Sequence, residues 1–275
     1  MNNRFNSDNT SFLPLSVAVL LLLAGWGMTL ILSLIVNAPF FPESYSVLAI
    51  SLTILELVFL IPILFYLRKK RSDISVFTAF RLKKIDRNAW KGIALFSGGI
   101  IILLDAVDRI LGKWIVVPEE YLQMMESYKW SSFPEAILMI FAAVIVASIV
   151  EECIFRGMLL QAMEDDFKKT FRSILFSAFF FAMIHALPWY FIQIAILGII
   201  LGGMSYLFHS VLPGIFLHSV YNLSSLIMLN ITQEPAWYVI NGHVRNIWIF
   251  AAGFLVWAGY YFCSPLFFKN WKRKR

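Results

Sequence analysis

The stretch Ala142-Ala-Val-Ile-Val-Ala-Ser-Ile-Val-Glu151-Glu152-Cys-Ile-Phe-Arg156-Gly-Met-Leu-Leu160 sets two adjacent carboxylates and a guanidinium inside an apolar run. Such a run fits a bilayer-spanning helix, which needs about 20 mostly apolar residues. An ionisable side chain at mid-helix costs roughly 2.5–3.5 kcal/mol on insertion scales, so each one needs a partner or a task. The rest of the chain belongs to the same solvent. Of 275 residues, 60% are hydrophobic and 15% charged, with a mean hydropathy of +0.75, far from soluble composition. The 26 Phe and nine Trp suit lipid-facing surfaces and interfacial belts.

Working outward, apolar stretches of sufficient length fall at residues 12–36, 45–67, 92–112, 135–160, 172–187, 190–208, 212–230 and 246–264. The expected fold is therefore all-α, a polytopic membrane bundle of about eight transmembrane helices, with a conical cavity open to the cytoplasmic side. Very short turns join the fifth, sixth and seventh spans, which predicts antiparallel neighbours. The first span is longer than a signal-peptide core and lacks an A-x-A site, so it is expected to stay in the protein. Residues 1–134 hold the first three spans with a basic loop and an outer amphipathic segment. Residues 135–230 form the core, and 231–275 the last span and a basic tail.

The net charge of +6 does not point to nucleic acid. Basic residues gather between Arg68 and Lys91 and between Lys269 and Arg275, the asymmetry that encodes membrane orientation. The positive-inside rule puts the 68–91 loop and both termini in the cytoplasm. The segments 113–134 and 231–245, poor in Lys and Arg, then lie outside, and 113–134 reads as an interfacial helix. Cys153 and Cys263 both fall in or beside apolar segments and read as free thiols.

Arg156 lies at i,i+4 from Glu152, within reach of neutralising it, which leaves Glu151 on a neighbouring face. Two carboxylates this close titrate as a unit, and one so placed suits a general base. The competing reading is a structural ion pair. Further polar residues enter the fifth span as Phe181-Ala-Met-Ile-His185 and the seventh as His218-Ser-Val-Tyr-Asn222. Alone, His185 reads as a satisfied core residue, and His218 with Asn222 as interhelical hydrogen-bonding glue on one helix face. Depth joins them. At about 1.5 Å per residue, Glu151 lies roughly 14–16 Å, His185 about 20 Å and His218 about 9 Å from the cytoplasmic side, so all three fit one cavity.

The patterns E-E-x-x-x-R, F-x-x-x-H and H-x-x-x-N on successive core helices resemble those of the CPBP family. This family comprises CAAX prenyl endopeptidases and bacteriocin-processing or immunity proteins, also called Abi proteins. The resemblance covers about residues 135–230. It implies an intramembrane peptidase in which Glu151 and His185 activate a water, His218 and Asn222 stabilise the oxyanion, and Glu152 and Arg156 support the site. Phe181 reads as packing. Two imidazoles and one or two carboxylates could also form a zinc set of Glu151, Glu152, His185 and His218. The spacing H-E-x-x-H is absent, however, and Asn222 suits an oxyanion donor better than a metal ligand, so no cofactor is favoured.

The implied partners are the bilayer and a peptide or membrane-protein substrate. The implied setting is a bacterial cell membrane, with the cut made from the cytoplasmic side. Two other readings compete with it: a non-catalytic immunity or regulatory protein of the same fold, and a proton-coupled transporter, which would favour inverted repeats. Outside the motifs, Asp105 and Arg109 read as a structural ion pair beside Asp108. Glu56 reads as lining the cavity entry or facing another helix, and His209 as a residue of a cytoplasmic turn.

Overall fold

The computed structural model describes residues 13–36, 45–126, 128–231, 235 and 237–272. The expected start of the first span at Phe12 and the last three basic residues of the tail lie outside them. The chain is an all-α membrane bundle. Its helices are α1 (Leu15–Val36), α2 (Tyr45–Lys70), a short α3 (Val76–Ala79), α4 (Ala89–Leu111) and α5 (Glu119–Glu126). The long α6 (Phe133–Phe167), α7 (Thr170–Ile184), α8 (Phe191–Phe208) and α9 (Leu212–Asn230) follow. A small hairpin of β1 (Val239–Ile240) and β2 (His243–Val244) then leads into α10 (Asn246–Lys272). Asn241-Gly242 turns the hairpin with both residues at positive φ, the chemistry of a tight two-residue turn.

Helices dominate because hydrocarbon offers backbone groups no partner, so each segment must satisfy its own. Six described helices, α1, α2, α6, α8, α9 and α10, are long and apolar enough to cross a membrane. The other two expected spans are of a different kind. α7 has 15 residues, about 22 Å at helical rise and short of a hydrocarbon core of about 30 Å. α4 has 23 residues but carries Lys91, Asp105, Asp108 and Arg109.

α6 is the most enclosed of the six, with half of its apolar window buried against 22% for α1. Around it, the outer helices present Leu34 and Phe250, 76% and 75% exposed, as a lipid-facing surface does. α4 packs closely on α10 where Gly92 meets Gly259. A Cβ on Gly92 would lie 2.8 Å from the Gly259 carbonyl, so small residues here set the interhelical distance.

The basic loop closes one end of the bundle. Phe80 is buried, Arg81 pairs with Glu164 at 2.5 Å, and the Gln161 amide donates to the Ala79 carbonyl at 2.8 Å. Ser210 donates to the Lys83 carbonyl at 2.7 Å, and the Val211 amide to the Arg81 carbonyl at 3.1 Å.

Candidate active site

α6 is interrupted twice by π-helical turns, Ile140–Val146 and Cys153–Leu159, on either side of an α-helical piece, Ala147–Glu152. In each, the backbone bond closes from i to i−5: Ala147 N–H donates to Ala142 O, and Leu160 N–H to Phe155 O. Such wide turns are frequent at functional sites, and they rotate the following side chains relative to an α-helix. Neighbouring helices bind the widened turns. The Asn222 amide donates to the Ala143 carbonyl at 2.9 Å, and the Ser177 hydroxyl to the Phe155 carbonyl at 3.2 Å.

Between these turns the two acids take opposite directions. Glu152 is fully buried, and its Oε1 accepts from Arg156 Nη1 at 2.7 Å and from His218 Nδ1 at 3.2 Å. Arg156, also fully buried, donates through Nη2 to the Gly198 carbonyl at 3.1 Å and stands 4.2 Å over the Phe181 ring. A Cβ on Gly214 would lie 2.6 Å from Glu152 Oε2, so only glycine leaves room for this carboxylate.

Glu151 points towards the histidines. Its Oε2, buried and without a hydrogen-bond partner, lies 3.9 Å from His185 Nε2 and 3.8 Å from His218 Nε2. The tautomers follow from the acceptors. His185 Nδ1 faces the Phe181 carbonyl at 2.6 Å, which can only accept, so Nδ1 carries the proton. His218 Nδ1 faces a carboxylate already paired with Arg156, and the same reasoning protonates it. Both Nε2 atoms therefore turn a lone pair towards Glu151 when the rings are neutral.

His185 is the C-terminal cap of α7 rather than a mid-helix residue, and Ala186 follows at positive φ. The first motif's acids and arginine, both histidines and Phe181 come together. Asn222 is on the same wall, but one of its amide hydrogens is held by α6.

Phe181, read from sequence as packing alone, does more. Its carbonyl fixes the His185 tautomer, and its ring lies edge-on to His185, His218 and Phe155 at centroid distances of 4.8, 5.7 and 5.1 Å. Glu56 on α2, with a buried and unpartnered Oε2, lies within electrostatic range of Glu151. The metal set considered from sequence does not assemble. Glu152 sits on the Nδ1 edge of His218, away from Glu151, and no three His, Cys, Asp or Glu side chains among the described residues are placed to hold a metal ion.

The histidines form the floor of a cavity of about 520 Å³. Its walls rise past Asn222 to Asp105 and Asp108 of α4, Tyr121 of α5, Tyr190 and Tyr238. This corrects the expected cavity, which opened on the side of the basic loop. That side is sealed by the 80–85 loop and the buried Glu152–Arg156 pair. The cavity instead extends towards the opposite end, where Tyr121, Leu122 and Met125 of α5 and Tyr238 line it. The error came from placing three residues by depth alone, which says how far each lies along its helix but not which end is plugged.

The fold and the site define a multi-pass membrane protein with ionisable groups gathered beside an internal cavity. Within it, residues 133–224 match the family model Type II CAAX prenyl endopeptidase Rce1-like. That segment is the one whose three motifs resemble the family, and Glu151, Glu152, Arg156, His185, His218 and Asn222 all lie within the match. No curated protein and no solved structure matched the chain.

Proposed function

We propose that this protein is an intramembrane endopeptidase that hydrolyses a peptide bond of a membrane-associated protein or peptide with a water activated by Glu151 and His185. The observation that carries this reading is that Glu151 Oε2 lies 3.9 and 3.8 Å from the Nε2 atoms of His185 and His218, the two histidines that line the cavity. That separation is too long for a direct hydrogen bond, and it suits one water about 2.8 Å from each atom.

The water donates one hydrogen to His185 Nε2 and gives the other to Glu151 as its oxygen attacks the carbonyl carbon. The carbonyl electron pair moves to oxygen, forming the oxyanion. For His218 to donate to it, Nε2 must carry a proton while Nδ1 stays with Glu152, so the ring acts as an imidazolium held by that carboxylate. Asn222 Nδ2, which holds the Ala143 carbonyl at 2.9 Å and reaches Ser148 Oγ only at 3.5 Å, turns its second hydrogen from Ser148 to the oxyanion. When the intermediate collapses, the C–N bond breaks and Glu151 returns its proton to the leaving amine. No step requires a cofactor. Purified protein offered a quenched-fluorescence peptide library is expected to cut a subset of it, and a library left wholly intact overturns the peptidase reading.

Orientation follows from charge. With the basic 68–91 end and both termini in the cytoplasm, the mouth faces the outer side, so the peptide enters from there. An impermeant maleimide applied to intact cells is expected to label Met125→Cys, at the mouth, and to reach Ser72→Cys, in the basic loop, only after lysis. The native Cys153 and Cys263 are buried. The reverse labelling pattern would return the mouth to the cytoplasm.

A further inference from the structure

The cavity wall above the histidines is acidic and aromatic. Asp105 is internally satisfied, accepting from Arg109 Nε at 3.0 Å and from the Tyr238 hydroxyl at 2.8 Å. Asp108, one turn nearer the end of α4, also lines the cavity, but its carboxylate makes no hydrogen bond or ion pair among the described residues. It lies within electrostatic range of Tyr190 and Tyr221, which line the same cavity. The lining includes no Lys or Arg.

A partly buried carboxylate held in no ion pair is costly in a cavity walled by the bundle; the Asp105 charge adds to that cost, and the Arg109 charge offsets only part of it. The cost is removed by whatever cation enters, and tyrosine rings add attraction through their negative faces. Tyr221 is about one helical turn from His218, roughly 5 Å along α9. An extended peptide advances about 3.3 Å per residue. A group held at Asp108 beside Tyr221 is therefore close in sequence to the carbonyl over Glu151.

We propose that Asp108 is a specificity-determining residue, holding a cationic group of the peptide within about three residues of the bond that is cut. This group is a Lys or Arg side chain or a free α-amino group. The inference rests on the peptidase reading and names its substrate class.

The test uses the full chain in lipid nanodiscs and matched peptides carrying Lys or norleucine at each of three positions on either side of the cut, each with a free or acetylated N-terminus. Wild type is expected to favour one cationic peptide over its neutral twin by about 10–100-fold in kcat/KM, the usual range for a hydrogen bond to a charged group. Dependence on Lys assigns the side chain, and dependence on the free terminus assigns the α-amino group. The preference should shrink as salt is raised.

Asp108→Asn should bring the ratio near one by raising KM for the cationic peptide about 10–100-fold, with a far smaller change for the neutral peptide. Asp108→Lys should shift preference to a Glu-containing peptide. A charge preference absent from wild type, or unchanged in Asp108→Asn, overturns the role of Asp108 while cleavage itself stands. Cleavage of no peptide by wild type sinks both readings.

Discussion

Glu151→Gln is expected to abolish measurable peptide cleavage, a fall in kcat of about 10²–10⁴-fold or more, while the thermal midpoint stays close to that of the wild type. The two halves of this expectation come from one observation. Glu151 Oε2 lies between two imidazoles yet accepts no hydrogen bond from protein groups among the described residues, so its charge supports no fold contact at that oxygen. The amide keeps the shape and volume of the side chain but cannot take a proton from water. His185→Ala should lose activity to a similar degree, because it removes the second acceptor that orients the same water.

The double variant Glu151→Gln/His185→Ala should be little worse than either single one, since groups that act on one water are not additive. Steady-state kinetics on a cut peptide, with melting curves for each variant, check this. Glu151→Gln protein that is folded and retains wild-type turnover would remove Glu151 from the chemistry. Variants that melt far below wild type would instead make it a structural residue.

The centre was legible in sequence to the extent that its residues were expensive where they stood. Glu151, Glu152 and Arg156 could be recognised because lipid makes unexplained charge rare, and the partnership of Glu152 with Arg156 followed from helical spacing. The π turns on either side were not legible. A widened turn depends on which neighbouring side chains bind its displaced carbonyls, here Asn222 and Ser177, and these come from distant positions in the chain.

The same limit hid the work of Phe181, whose backbone oxygen and ring faces act through geometry with no reactive group to mark them. The mouth of the cavity was misread for a related reason. Hydropathy reports that a segment crosses the bilayer, but it is blind to a loop such as 80–85 folding back over the end of the bundle. The span count met a similar obstacle, since α7 is too short and α4 too charged to be judged by length and hydropathy alone.

Arg156→Met is expected to cost about 3–5 kcal/mol of stability and to leave little folded protein, because it strands the Glu152 carboxylate in a site that no solvent reaches. The thermal midpoint and the yield of monodisperse protein in detergent measure this. The double variant Glu152→Gln/Arg156→Met removes both charges and should recover much of the lost stability, since a buried pair replaced by neutral groups of similar size is often close to neutral.

It should not recover activity. Glu152 also accepts from His218 Nδ1, and an uncharged amide there no longer favours the imidazolium that the oxyanion requires. Stability restored without turnover would separate the two tasks of Glu152, anchoring Arg156 and holding the charge of His218. A double variant as active as wild type would leave Glu152 a purely structural residue, and a stable, active Arg156→Met would show that the pair is not needed for either.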